Sequence, residues 1–163
     1  MARQRPGGGT PATVALDRAG VDYRLHPYDH DPRSASYGLE AASALGVDPA
    51  RVFKTLLASL DGSLVVGIVP VSGQLDLKAL TRALRGSKAV MAEVSVAERV
   101  TGYVAGGISP IGQKRPLRTV LDASALDHDT IFVSAGRRGL DLELAPADLV
   151  VITGAITDRV GRG

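Results

Sequence analysis

Hydrophobic residues recur along the chain at two spacings, every third or fourth position and every second position, and these spacings predict alternating helices and strands. Thr10 and Pro11 suit the N-cap and the first position of a helix that ends at Gly20. Residues 21–25 alternate apolar and polar side chains, which is typical of a strand. A second helix is predicted over residues 36–45.

Two apolar runs in the middle of the chain, residues 52–60 and 63–71, predict a β-hairpin. They are separated by Asp61 and Gly62, a pair that favours the tight turn between antiparallel strands. Beyond the hairpin, Asp76 is expected to cap a third helix.

The second half of the chain continues the alternation. Ser95 and Glu98 have the spacing of a capping box and predict a short helix that ends before Gly102. Further predicted elements are strands at residues 89–91, 118–121, 130–134 and 140–144 and a helix at 147–152. Because strands outnumber helices and a hairpin interrupts their order, we predict an α/β (α+β) fold: one domain with a mixed central sheet, partly closed into a barrel and surrounded by helices.

The composition agrees with one globular domain and removes several kinds of chemistry. The chain has 163 residues, and we expect the domain to span residues 10–163 after a disordered extension at residues 1–9. It has no cysteine, which excludes disulfides, a thiolate nucleophile and Cys-ligated zinc. No apolar run is long enough for a membrane span or a secretion signal, so we expect a cytoplasmic protein. We also expect a monomer, because no exposed apolar stripe stands out.

The net charge of +2 is unevenly distributed. Residues 78–118 contain eight basic and two acidic side chains, so this segment carries +6 and the remainder −4. A clustered basic face is typical of a protein that binds a polyanion. The alternative is a solvated face without a partner.

Two glycine-rich loops could bind a ligand. The first has three glycines and a proline between Gly106 and Gly112, and its backbone N–H groups could cradle a phosphate, a carboxyl oxygen or an ester carbonyl. The second, residues 134–141, contains Arg137 and Arg138 and could contact a phosphate. The alternative for both loops is a turn between two strands.

Lys54 lies inside an apolar strand, where an unpaired charge is costly to bury. Either its head group reaches solvent or an acidic partner, or it points into a pocket that holds a phosphate or carboxylate. Thr55 is expected on the opposite face of the same strand.

Residues 26–32 contain two His, two Asp and a Tyr between prolines, which raises the question of a metal site. His26 and His30 would converge on one ion only on a helix, and the prolines oppose a helix. We therefore expect no metal, and we expect either a turn or a strand end at which Tyr28 faces a ligand.

Six tracts, in their order along the chain, carry a resemblance to a known family. They are residues 10–12, 26–31, 53–57, 73–78, 101–110 and 134–141. Together they resemble the YbaK/EbsC-type aminoacyl-tRNA deacylases, free-standing relatives of the editing domain inserted in bacterial prolyl-tRNA synthetases. One departure lies at Ala135 and Arg137, where many members have a glycine and a lysine.

The resemblance implies an enzyme that, without a cofactor, hydrolyses the ester between a misattached amino acid and the 3′ end of tRNA. The branch it resembles most acts on Cys-tRNA(Pro), with Cys-tRNA(Cys) as a further candidate. There the substrate's own thiol is thought to attack the ester carbonyl and release a thiolactone. Two alternatives stay open: a deacylase for tRNA that carries Ala or Ser, and a non-catalytic RNA-binding module. A transient complex with prolyl-tRNA synthetase is expected.

The resemblance also implies roles for individual residues. Lys54 would hold the terminal nucleotide, and the backbone N–H groups of Gly106 and Gly107 would face the carbonyl oxygen, so these three are the expected catalytic residues. Asp141 would bind the substrate's amino group. The other expected pocket residues are Tyr28, Thr55 and Ser134. The basic clusters predict tRNA contacts at Lys114, Arg115, Arg137 and Arg138.

Overall fold

The computed structural model describes residues 9–34 and 36–163. The predicted disordered extension therefore lies almost entirely outside the described residues. The α-helices are α1 Pro11–Ala19, α2 Tyr37–Leu45, α3 Leu77–Ala83, α4 Val94–Thr101 and α5 Pro146–Thr153. The strands are β1 Arg24–Pro27, β2 Phe53–Leu60, β3 Ser63–Pro70, β4 Gln74–Leu75, β5 Ala89–Met91, β6 Arg118–Asp122, β7 Ile131–Arg137, β8 Leu140–Leu144, β9 Ile156–Asp158 and β10 Gly161–Arg162. Two short 3₁₀ helices span Pro49–Arg51 and Ala123–Asp127.

The strands form three sheets. The largest has the order β5-β2-β3-β6-β9 and is mixed, because β3, β6 and β9 run parallel whereas β2 is antiparallel to both of its neighbours. An antiparallel sheet of order β1-β8-β7 and a small β10-β4 pair complete the set. The predicted α/β fold with a mixed central sheet is confirmed. The described strands form no closed barrel, since they belong to three separate sheets.

The hairpin of β2 and β3 forms where the sequence predicted it. Asp61 and Gly62 both have positive φ, 51° and 86°, as the tight hairpin turn requires, and Leu60 pairs with Ser63 across it. The pairing continues without a slip to Phe53 and Pro70. Successive residues of β2 therefore point to opposite faces of the sheet.

The main core lies between the five-stranded and three-stranded sheets. Phe53, Leu57 and Ile68 of the larger sheet pack in one buried cluster with Val133 and Leu142 of the smaller one. The opposite face of the larger sheet is covered by α3, through a second cluster of buried aliphatic side chains. No helix in the described part of the chain is long and apolar enough to cross a membrane.

Two predicted elements differ in detail. The capping box at Ser95 is wrong: α4 begins at Val94, and the Glu98 carboxylate instead accepts a hydrogen bond of 2.8 Å from the Ala105 N–H. The first strand begins at Arg24 rather than at residue 21, because the Val21 N–H is still bonded to the end of α1.

Candidate functional site

A cavity of about 430 Å³ opens beside the edge of β2. This edge is open because β5 pairs with β2 only over residues 58–60 and is followed by one more bond, from the Ala92 N–H to the Leu57 carbonyl. Since β7 bridges β2 only at Val52, residues 54–56 have no strand partner on this edge among the described residues. The cavity runs along the open edge, so residues from both faces of the strand line it. These include Lys54 and Thr55.

The cavity brings together six of the predicted site residues from four parts of the chain. They are Tyr28, Lys54, Thr55, Gly106, Ser134 and Asp141. The open edge of β2 supplies one wall, and the β7–β8 pair, the loop after α4 and the start of α2 supply the others.

Lys54 is a half-buried cation without a carboxylate partner in residues 9–34 and 36–163. It lies on β2 opposite Val69, and burial lowers the pKa of its ammonium group. A lysine in this setting gains from an anionic ligand, which restores the interactions that its partial burial removed.

Asp141 and Ser134 lie directly opposite each other on β8 and β7. Asp141 is only 5% exposed, and burial raises the pKa of its carboxyl group to about 7. The pKa of Tyr28 rises to about 12, first through burial and then through the nearby Asp141 charge. The end of the pocket formed by these residues is thus poorly solvated. A cationic ligand group placed there would lower the pKa of the Asp141 carboxyl group.

Thr55 contributes a buried hydroxyl that has no hydrogen-bond partner among the described residues. Thr55 is 8% exposed and lines the cavity. A buried polar group without a partner costs about 1–3 kcal/mol, so a ligand that bonds to this hydroxyl would recover that free energy.

Gly106 lines the cavity with a backbone that only glycine adopts readily. Its φ is +84°, and an added Cβ would lie 2.7 Å from Cδ1 of Tyr37. No acceptor for its N–H exists within the described chain. This amide is therefore available to a ligand.

The prediction that the Gly107 N–H faces a ligand is wrong. This N–H donates to the Val104 carbonyl over 2.8 Å and closes a turn, so it cannot face a ligand. The residue does not line the cavity. Its glycine has a packing reason instead, because a Cβ there would lie 2.7 Å from Cα of Arg137.

The comparisons with known proteins place this chain in a family. The family model described as the aminoacyl-tRNA editing domain matches residues 32–152, most of the chain. The chain belongs to this family. A curated relative from Enterococcus faecalis strain V583, provisionally named as the Cys-tRNA(Pro)/Cys-tRNA(Cys) deacylase EbsC, is 35% identical over 157 residues, which cover 94% of this chain and 93% of the relative.

Solved structures share the fold of this editing domain. A crystal structure described provisionally as a trans-editing enzyme for prolyl-tRNA synthetase superposes with a TM-score of 0.83 at 23% identity, over 99% of this chain and 100% of that one. A second, of a protein described as hypothetical, has a TM-score of 0.83 at 24% identity and covers 93% and 99% of the two chains. At these identities, the likeness concerns the fold.

The predicted tRNA-contacting residues of the editing domain lie outside the cavity. Lys114, Arg115, Arg137 and Arg138 are all exposed, and none lines it. Arg138 also makes a hydrogen bond within the protein, because its Nε donates to the Ala105 carbonyl over 2.7 Å. The assignment of these four residues to tRNA remains a prediction.

The histidines of residues 26–32 are occupied by carboxylates. His26 contacts Glu143 at 2.9 Å and His30 contacts Glu40 at 2.8 Å, so each ring belongs to a different pair. The described residues contain no cluster of three or more side chains that could hold a metal ion.

Several residues of the cavity were not predicted. Tyr37 and Leu39 on α2, together with Met91 and Val94 around β5 and α4, line the cavity. Leu39, Met91 and Val94 are large apolar side chains that stay at least 46% exposed. The available signal was the aromatic Tyr37 in the first turn of the predicted helix over residues 36–45.

Proposed function

We propose that the protein hydrolyses the ester bond that joins a misattached cysteine to the 3′ end of tRNA(Pro), with Cys-tRNA(Cys) as a second substrate. The observation that carries this proposal is the convergence of an unpaired cation, a free backbone donor and a buried carboxyl group on one cavity. The volume of about 430 Å³ lies within the range of small-ligand sites and suits an aminoacyl group with part of the terminal nucleotide. The name of the relative that is 35% identical supports the same substrate.

In this proposal the protein positions the substrate and stabilises charge. Lys54 binds the terminal nucleotide through its phosphate or ribose, and the Gly106 N–H faces the ester carbonyl oxygen, where negative charge develops. Asp141 binds the substrate's ammonium group, which returns the buried carboxyl to its charged form. Ser134 and Tyr28 line the same end of the pocket.

The bond changes in the proposed step need no nucleophile from the protein. The cysteine sulfur of the substrate attacks its own ester carbonyl, and the bond between that carbon and the ribose oxygen breaks. The thiol proton passes to the departing ribose oxygen, which leaves free tRNA and a thiolactone. Water then opens the thiolactone to free cysteine, so the overall reaction is hydrolysis of the ester. Held in one geometry, the thiol and the carbonyl react as neighbours, and such positioning is worth several kcal/mol.

A serine ester is an alternative to the cysteine ester, and the unpartnered Thr55 hydroxyl favours it over an alanine ester. Both cysteine and serine side chains carry a hydrogen that could be donated to this buried oxygen, whereas alanine carries none. A substrate that leaves this buried hydroxyl unpaired is rejected more strongly than a substrate that differs by one methylene group.

The deciding experiment is a panel of aminoacyl-tRNAs: Cys-tRNA(Pro), Ala-tRNA(Pro) and Ser-tRNA(Thr), each with and without a metal chelator. We expect deacylation of Cys-tRNA(Pro) to be the fastest and to be unaffected by the chelator. A preference for Ala would move the protein to another substrate class. No hydrolysis of any ester, together with binding of uncharged tRNA, would identify a non-catalytic module.

A transient complex with prolyl-tRNA synthetase is part of the same proposal, because the cavity contacts only the 3′ end and tRNA identity must be read elsewhere. Adding the synthetase to the assay should raise the preference for tRNA(Pro) over tRNA(Cys). An unchanged preference would reject the complex without affecting the proposed ester hydrolysis.

The predicted monomer can be checked by light scattering on a sample of the protein alone.

A further inference from the structure

The free amide of Gly106 belongs to a peptide group whose other end is held by an arginine. Arg138 Nε donates to the carbonyl oxygen of Ala105 over 2.7 Å, and the carbonyl of Ala105 and the N–H of Gly106 are the two ends of one planar unit. In a trans peptide the C=O and N–H point in opposite directions. A bond that fixes the carbonyl direction therefore fixes the direction of the N–H.

The guanidinium that makes this bond is itself held in place. Its Cζ lies 5.1 Å from the centre of the Tyr37 ring, in a cation–π arrangement. The same ring occupies the space where a Cβ of residue 106 would lie. Arg138 and Tyr37 thus contact the glycine loop at two consecutive residues, from the β7–β8 connection and from α2.

Two further contacts leave this loop little freedom. The Ala105 N–H is bonded to the Glu98 carboxylate at 2.8 Å. Gly107 packs against the backbone of Arg137, which joins the loop to the β7–β8 connection a second time. The peptide group between residues 105 and 106 is consequently held on both sides, and its N–H is the end left without a partner within residues 9–34 and 36–163.

We infer that Arg138 is a positioning residue that aims and polarises the Gly106 N–H toward the ester carbonyl oxygen. A hydrogen bond from a charged donor draws electron density to the Ala105 oxygen, and this strengthens the N–H at the other end of the peptide as a donor. The inference rests on the proposed function. It differs from the predicted phosphate contact of Arg138, because the Nε is bonded to the glycine loop, and the salt dependence of KM separates the two roles.

The test compares Arg138→Gln with Arg138→Lys and with Arg115→Gln, which removes an exposed arginine outside the cavity. We expect Arg138→Gln to lower kcat on Cys-tRNA(Pro) by about 10–100-fold, somewhat less than the loss of a whole oxyanion donor. KM and the salt dependence of KM should stay near those of the unaltered protein. Arg138→Lys should not restore kcat, because an ammonium cannot both stack on Tyr37 and bond Ala105 in the same planar geometry. Arg115→Gln, if it removes a phosphate contact, should instead raise KM and flatten its salt dependence.

A measurement without turnover separates this inference from the proposed function. The Gly106 amide resonance in an NMR spectrum of the free protein should shift in Arg138→Gln, and also in Tyr37→Leu, which removes the stacking ring, but not in Arg115→Gln. An unmoved Gly106 resonance in folded Arg138→Gln would overturn the inference, as would a loss confined to KM. If the unaltered protein hydrolyses no ester, the proposed function fails, and the resonance still decides whether Arg138 orients the amide.

Discussion

The hydroxyl of Thr10 donates to the carbonyl oxygen of Ala135 over 2.6 Å, although the two residues are 125 positions apart. The same hydroxyl accepts from the Thr13 N–H and caps α1. Ala135 follows Ser134 of the cavity, and the strand bulges between Ser134 and Arg137. One buried side chain therefore couples the first helix to the wall of the site.

Replacing Thr10 by Ala should lower the free energy of unfolding by about 1–2 kcal/mol, since the variant loses a helix cap and a buried hydrogen bond. Urea denaturation followed by circular dichroism measures this loss. Thr10→Ser is the matched control, because it keeps the hydroxyl and should lose less than half as much. Equal losses in the two variants would show that the methyl group, not the hydroxyl, matters.

Replacing Lys54 by Ala should lower kcat/KM on Cys-tRNA(Pro) by an amount that corresponds to about 2–4 kcal/mol of transition-state stabilisation. The physical reason is that this cation has no carboxylate partner in the described structure and lines the cavity. Lys78→Ala removes an exposed lysine that does not line the cavity and is the matched control. Turnover of Lys54→Ala near that of the unaltered protein would reject the role of Lys54.

Replacing Gly106 by Ala should reduce kcat sharply while the protein stays folded. The added Cβ meets the Tyr37 ring at 2.7 Å, and the φ of +84° strains any other residue, so the loop must shift and its amide with it. Single-turnover deacylation measures the effect on chemistry.

Gly46→Ala is the control for backbone strain alone, because Gly46 has a φ of +67° and open space at the Cβ position. It should destabilise the protein by about 1 kcal/mol without changing turnover. If both glycine variants retain full activity, the amide of residue 106 does not contribute to the reaction.

Local chemistry predicted much of the fold because the decisive interactions lie close together in the chain. The turn at Asp61 and Gly62 needs only positive φ at two neighbouring residues, so the dipeptide alone predicts the hairpin. The capping box failed for the opposite reason. The Glu98 carboxylate had a second possible donor, the N–H of Ala105, and the folded loop brings that donor within 2.8 Å.

The site was predicted as a set of residues but not as a shape. The cavity exists because β5 pairs with only the last three residues of β2, a consequence of strand length and packing that no local pattern encodes. The sequence could not separate the roles of Gly106 and Gly107 for a similar reason. Both allow a close approach of the backbone, and only the turn shows that the N–H of Gly107 is already bonded to Val104.

The stability of the protein should fall as pH rises from about 4 to above 7, and Asp141 should account for part of the slope. Burial raises the pKa of this carboxyl from 3.8 to about 7, so between these values the folded protein holds a proton that the unfolded chain has lost. The contribution is therefore fully present below pH 4 and is lost as pH rises through 7. Urea denaturation at pH 5 and pH 8 measures the difference, which we expect to be a few kcal/mol. Asp141→Asn keeps the shape without the charge and should flatten the slope, whereas an unchanged slope in this variant would assign the pH dependence to other groups.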